Sequence, residues 1–159
     1  YVEIGYNLKM TEVQAAIGRL QLKRMPQWAA ARRANAECIW AAARALPALR
    51  APVVPDWAEH AAYRASVFVE PGALKAGWNR DRIMEAMVAR GVPCYVGACP
   101  EIYLEKAFDG TGWRPASRLP VARELGETSL AFLVHPTLES SHINETCRVL
   151  AEVMRTAVR

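Results

Sequence analysis

Asn7 and Lys9 stand two residues apart in the polar stretch Gly5-Tyr6-Asn7-Leu8-Lys9-Met10, directly ahead of Thr11-Glu12-Val13-Gln14. An asparagine amide donates two hydrogens without carrying charge, and a lysine adds a compact positive charge. Thr11 followed three residues later by Gln14 has the spacing of a capping box, so a helix is expected to start here. A helix start offers free N–H groups and the positive end of a dipole. Together these groups suit a phosphate monoester. The same residues also fit a plain turn, with Asn7 satisfied locally and Lys9 in solvent.

Other chemistry is sparse. The chain has no glycine-rich phosphate loop of the nucleotide-binding types and no G-x-S-x-G nucleophile elbow. Its three histidines are His60, His135 and His142. His135 follows an apolar strand and precedes Pro136, where a hydrogen-bonded structural role is expected. His60 falls in a loop, and His142 on the solvated first turn of a helix. Glu101, Glu105 and Asp109 share one segment, but nothing in their spacing fixes a catalytic pair. Cys38, Cys94, Cys99 and Cys147 lack the C-x-x-C spacing of a zinc site. Scattered, reduced cysteines favour a cytoplasmic compartment.

The elements that must hold these residues are readable from periodicity. Val13, Ala16, Ile17 and Leu20 follow helical spacing after Thr11. Pro26 is expected to end or kink that helix near Arg24-Met25. The helix resumes with Trp28, Ala36, Ile39, Trp40, Ala43 and Leu46 as a buried stripe and closes at Pro47. Residues 50–62 read as a loop and Ser66-Val67-Phe68-Val69-Glu70 as a strand. A helix spans about Asn79 to Arg90, burying Ile83, Met84, Met87 and Val88, with Gly91 ending it. Val92 to Val96 is a short strand that Pro93 pushes to a sheet edge. Residues 97–118 have little periodicity, and such a long stretch is either functional or disordered. Pro120 to Glu127 is a short helix and Leu130 to Val134 a buried strand. Ser140 to Val158 is a closing helix lined by Ile143, Cys147, Leu150 and Met154. Three strands and four helices give an α/β layer, a small sheet with packed helices, with a ferredoxin-like domain as its architectural rival.

With 159 residues the chain can bury a core, and 52% hydrophobic with 23% charged residues is ordinary for a soluble globular protein. No apolar run approaches the roughly 18 residues of a membrane helix. The net charge of +4 is uneven: residues 1–50 carry +5 and the rest −1. The basic surplus (Arg19, Lys23, Arg24, Arg32, Arg33, Arg44) reads as a solvated helix face rather than a nucleic-acid surface, because no aromatic set is interleaved with it.

Gly5-Tyr6-Asn7-Leu8-Lys9-Met10-Thr11-Glu12, with Gln14-Ala15-Ala16-Ile17-Gly18 and Gln21-Leu22, resembles the GYN-x-[RK]-MTE…AAIG…QL segment of the DegT/DnrJ/EryC1/StrS family of aminotransferases. Arg32-Arg33, Arg90-Gly91-Val92-Pro93, Leu119-Pro120-Val121-Ala122 and the run Leu130 to Leu138 extend the resemblance along the chain. The resemblance implies fold type I of the pyridoxal-phosphate enzymes and transfer of an amino group from an amino-acid donor to a keto-sugar nucleotide. It also implies a homodimer. The chain has no initiator Met and looks like the C-terminal portion: residues 1–50 as interdomain loop and long connecting helix, 51–159 as the small α/β domain. The family's cofactor-binding lysine is then expected upstream, and none of Lys9, Lys23, Lys75 or Lys106 is assigned that role. The fragment alone is expected to be inactive. Asn7 matches the family position that reaches the cofactor phosphate of the partner subunit, and Lys9 the basic residue two places on. One departure is Leu8, where an aromatic is frequent. Another is Cys94-Tyr95-Val96-Gly97-Ala98-Cys99-Pro100-Glu101-Ile102-Tyr103, where many members place a His-Tyr pair near the sugar. Two readings without catalysis stand beside this one. The first is a ferredoxin-like binding or regulatory module, which a sheet without exposed aromatics argues against. The second is an oligomerisation piece.

Overall fold

The structure, a computed structural model, describes residues 9–97 and 99–159. Helix α1 spans Glu12–Arg44 and begins as its sequence predicts. Thr11 Oγ1 accepts from Gln14 N–H at 3.3 Å, and Gln14 Oε1 accepts from Thr11 N–H at 2.9 Å. Pro26 does not break it: the helix runs unbroken through that position. The proline removes one donor, freeing the Leu22 carbonyl. Both residues lie on the exposed part of the helix, where solvent can satisfy that carbonyl. The alanine-rich sequence that follows carries the helix on.

Only the last third of α1 enters the core, through Ala36, Ile39, Trp40 and Ala43. Trp28 is half-buried, and Val13, Ile17 and Leu20 lie in the open, each more than half exposed. Two polar contacts fix the docked end. Trp40 Nε1 donates to the Ser66 carbonyl at 3.0 Å, and Asn35 Nδ2 donates to the carbonyls of Val134 and His135 at 3.4 Å each. The chain then turns through Ala48, whose φ of 64° lies in the left-handed region.

Four strands follow among the described residues: β1 Leu49–Arg50, β2 Arg64–Val69, β3 Cys94–Val96 and β4 Ser129–Leu133. They form one antiparallel sheet in the order β1-β2-β4-β3. The extra strand relative to the sequence reading is β1, whose two residues are too few for alternation to show. β3 lies at the edge, as Pro93 requires. Because β2 and β3 both run antiparallel to β4, they are parallel to each other. Helix α2, Arg80–Val88, carries the chain from one to the other past the slot that β4 fills. This split crossover is what the architecture shares with ferredoxin-like domains.

Alternation sets the faces. Ala65, Val67 and Val69 of β2 are buried and face the helices, with Phe132 of β4 and Cys94 of β3 in register with Ala65. Helix α4, Ser140–Ala157, packs Ile143, Leu150 and Met154 there, and Cys147 is half-buried beside them. From α2 come Ile83 and Met87, fully buried, while Val88 points outward and is 53% exposed. Asn79 caps α2 by accepting from Arg82 N–H at 2.8 Å, and Gly91 takes a φ of 80° where the chain reverses after it.

Helix α3, Pro120–Thr128, leads directly into β4 and lies beside the end of β2. Close approach pins it. A Cβ on Gly126 would fall 2.3 Å from Pro100 Cγ, an atom in a ring that cannot swing aside. Arg80 ties the same region down by donating to the Gly126 and Ser129 carbonyls at 3.1 and 3.0 Å. Gly126→Ala should therefore destabilise the chain by about 1–3 kcal/mol in urea unfolding, the usual cost of overpacking. Gly18→Ala, where nothing lies within 4 Å of the new methyl, should leave stability unchanged or raise it by about 0.5–1 kcal/mol. Equal effects of the two substitutions would refute the close-packing account.

Candidate functional site

Three places bring polar groups together. The first is the start of α1. Lys9 is exposed two residues before the Thr11 cap, and Glu12 places a carboxylate in the same first turn. The capping box engages the Thr11 and Gln14 N–H groups. Asn7 lies outside the described residues. The basic residues further along are partly accounted for by acids: Arg33 pairs with Glu59 and Arg44 with Glu37.

The second place is the sheet face turned away from the helices. Arg64, Ser66 and Phe68 of β2 point to it, with Tyr95 of β3 and Ala131 of β4. The expectation of a sheet without exposed aromatics is corrected here. Tyr95 is 43% exposed on this face, and Tyr63, just ahead of β2, is 74% exposed. The rings are not open stacking platforms, because arginines lie over them. The Arg64 guanidinium carbon is 5.6 Å from the Tyr63 ring centroid and 5.2 Å from that of Tyr95. Arg50 covers Phe68 at 4.5 Å. A cleft of about 460 Å³ opens here, lined by His60, Tyr63, Arg64, Ser66, Gly97 and Ala131. His60 is oriented by its surroundings: its ring meets Trp40 edge-on at 5.3 Å, and Nδ1 accepts from Ala62 N–H at 2.9 Å. In the neutral ring the proton then sits on Nε2.

The third place is the segment 99–119, which two arginines organise into two turns, Ile102–Leu104 and Lys106–Phe108. Arg118 pairs with Glu101 through both nitrogens of its fork. The Tyr103 hydroxyl donates to Glu101 at 2.6 Å and accepts from Leu119 N–H at 2.8 Å. Arg114 donates to the carbonyls of Tyr103, Leu104 and Glu105 and pairs with Asp109. The three acids of this segment thus take separate partners, since Glu105 accepts from the Cys99 thiol at 3.3 Å. A larger groove of about 870 Å³ runs beside α3, but Arg118 and Arg123 within it are paired with Glu101 and Glu127.

The remaining candidates are structural. The His135 ring shares a hydrogen with the Thr137 hydroxyl at 2.8 Å, and its carbonyl receives Asn35. His142 accepts from Glu139 N–H at 3.1 Å and so caps α4. Lys75 Nζ donates to the Thr156 carbonyl at 2.9 Å. The four cysteines are free thiols, and burial pushes that of Cys94 up to about 12. No cluster of three or more His, Cys, Asp or Glu that could hold a metal occurs among the described residues. No helix among them is long and apolar enough to cross a membrane.

Sequence reading missed Arg64 and Tyr63, and named Tyr95 only within the stretch Cys94 to Tyr103 that departs from the family pattern. The available signal was the register of β2: alternation from Ala65 sets Arg64 and Phe68 on the outer face. Glu101 was noticed without its partner. Hydrogen bonds from Arg118 and then Tyr103 hold its carboxyl well below the ordinary 4.5, at about 2. A carboxyl depressed by folding contributes order above its unfolded value and loses that contribution as pH falls toward its folded value. Segment 99–119 should stay closed to protease at pH 7 and open between about pH 5 and pH 2. Glu101→Gln should open it already at pH 7 and remove most of that pH dependence, read by limited proteolysis and by Trp113 fluorescence.

The comparisons with known proteins agree with this architecture. The sequence model of the DegT/DnrJ/EryC1/StrS aminotransferase family matches residues 1–151. An aminotransferase from Psychrobacter cryohalolentis is 46% identical in sequence, with a TM-score of 0.90 over 98% of this chain and 41% of its own. The same fold is seen in Helicobacter pylori PseC, an aminotransferase involved in the biosynthesis of pseudoaminic acid, at 18% identity and a TM-score of 0.80 over 97% of this chain and 40% of its own. Among curated proteins, the erythromycin biosynthesis sensory transduction protein EryC1 of Saccharopolyspora erythraea is 26% identical over 84% of this chain and 34% of its own length. The dTDP-4-dehydro-2,6-dideoxy-D-glucose 3-dehydratase of Saccharopolyspora spinosa is 23% identical over 96% of this chain and 32% of its own. The chain therefore spans about a third of the length of these curated relatives. With the match covering nearly its whole length, the chain belongs to the DegT/DnrJ/EryC1/StrS aminotransferase family.

Proposed function

We propose that this chain is the C-terminal part of a pyridoxal-phosphate-dependent aminotransferase that passes an amino group from an amino acid to a keto-sugar nucleotide, working as a homodimer in the cytoplasm. The observation that carries the reading is the family match over residues 1–151, supported by 46% identity to a solved aminotransferase. In this reading residues 1–50 link two domains and residues 51–159 form the small one.

The exposed first part of α1 supports the division. Val13, Ile17, Leu20, Leu22 and Met25 are all more than half exposed, as is Met10 just ahead of the helix. So many large apolar side chains on one solvent-facing helix are costly unless another surface covers them. An upstream catalytic domain is the surface this reading supplies.

The residues at the start of α1 fit the phosphate of the cofactor. Lys9 supplies a positive charge, and a well-capped helix N-terminus favours an anion. Asn7 adds two neutral donors. Glu12 opposes them, so Lys9 is needed to keep the local balance favourable to an anion. When bound, pyridoxal phosphate supplies the electron sink that amino transfer requires. The roles of this chain are to grip that phosphate, to close the substrate pocket with the small domain and to contribute to the dimer.

Two measurements test the reading. In the full-length polypeptide, Asn7→Ala or Lys9→Ala should weaken cofactor retention by about tenfold or more, since hydrogen bonds to charged groups are worth roughly 1.5–3 kcal/mol. The dimer should persist in sizing experiments. The chain of 159 residues, incubated with pyridoxal phosphate and then freed of unbound cofactor by gel filtration, should retain no visible cofactor absorbance. Cofactor retained after that step and attached by borohydride reduction to a lysine of this chain, found by mass spectrometry, would overturn the assignment.

A further inference from the structure

We propose that Arg64, held against Tyr63 and Tyr95 on the outer face of the sheet, is the centre of a subsite for an oxyanion of the substrate, a phosphate or a carboxylate. Arg64 contacts the two ring faces at 5.6 and 5.2 Å, and among the described residues no acid pairs with it and no carbonyl accepts from it. Among the described residues Arg19, Arg24, Arg32 and Arg50 share this, but Arg64 alone of them lies over two rings. Arg33, Arg44, Arg114, Arg118, Arg123 and Arg148 each have a carboxylate partner. A guanidinium that meets aromatic rings through its plane keeps its N–H edge for a planar, bidentate acceptor. Stacking also fixes its orientation, which lowers the entropy cost of capturing that acceptor.

The cleft around it has the right composition. Its volume is about 460 Å³, and no lining residue carries a carboxylate. Ala131, in register with Tyr95 on one side and Ser66 on the other, keeps the middle of the sheet shallow. Arg64 lies two strands away from Tyr95, so it must reach across β4 over that small side chain. The hydroxyl of Ser66 and the ring of His60 give the cleft further polar groups. Gly97 completes the wall: a Cβ there would meet Ser129 Oγ at 2.6 Å, so only glycine lets the backbone come this close.

The molecule carrying the anion rests on the function proposed above: the diphosphate of a sugar nucleotide, or a carboxylate on the amino donor or the sugar. The subsite itself rests on the geometry alone. The test uses the 159-residue chain with its arginine side chains labelled with nitrogen-15. Inorganic pyrophosphate, L-glutamate and glucuronate are titrated separately, with glucose as the uncharged control. At least one anion should shift the Arg64 Nε–H signal and the Tyr63 and Tyr95 ring signals, and glucose should not. A response to pyrophosphate alone assigns the diphosphate; a response to the carboxylates assigns those. Arg64→Gln should weaken binding at least tenfold, and Arg64→Lys, which keeps the charge without the fork, should weaken it severalfold. Arg50→Gln, removing the arginine over Phe68 on the same face, should bind as the parent does. Silence at Arg64 with every anion, or Arg64→Gln binding like the parent with its amide spectrum intact, would overturn the subsite. The outcomes separate the two proposals. A silent Arg64 in a protein that passes the cofactor tests removes only the subsite. Anion binding at Arg64 in one that fails them leaves the subsite standing and removes the aminotransferase reading.

Discussion

Strand β4 has both of its backbone edges occupied, by β2 on one side and β3 on the other, and four of its five residues are buried. A strand taken out of water on both faces must have its polar backbone fully paired, and an antiparallel sheet closed around it is the economical way to do that. The rest of the arrangement follows from this demand. The slot for β4 exists only because α2 carries the chain from β2 to β3 without pairing them. The helical side of β4 is sealed by α1, α2 and α4, with Phe132 fully buried. On the other side Gly97 closes against Ser129, and the cleft lined by Ala131 opens beside it. Arg80 reaches from α2 to the backbone of Gly126 and Ser129 and so ties α3 to the start of β4.

What the sequence disclosed was local. The Thr11–Gln14 box, the helix starts near Asn79 and Pro120 and the reversal at Gly91 are each decided by a few adjacent residues, and each was found where the sequence placed it. Features set by distant contacts were not visible. Pro26 reads as a helix breaker because sequence alone cannot show that the freed carbonyl faces solvent. Val88 has the spacing of a core residue, yet α2 fully buries only Ile83 and Met87, with Met84 and Ala86 partly buried beside them. β1 is a strand only because Leu49 and Arg50 find Val69 and Phe68 opposite them.

The candidate sites divide in the same way. Lys9 and the helix start behind it could be read directly, since a cap and a nearby charge are neighbours in sequence. Asn7 was read the same way and falls outside the described residues. Arg64 and Tyr95 could not have been paired from sequence, because they meet only through the register of β4 with both neighbouring strands. Glu101 and Arg118 are joined across a segment whose conformation their own contact helps to create.

The unbroken α1 has a mechanical consequence. Its residues from Glu12 to Arg24 extend beyond the half-buried Trp28, a span of about 20 Å at 1.5 Å per residue. A helix of that length anchored at one end behaves as a lever. A tilt of about 5° at the anchored end would displace Thr11 by roughly 2 Å, enough to break a hydrogen bond. The aim of the groups around Lys9 is therefore governed far away, by how tightly Ala36, Ile39 and Ala43 seat against the sheet and by the two carbonyls that hold Asn35. Small side chains in the core are, in this molecule, the pivot of its most distant polar groups.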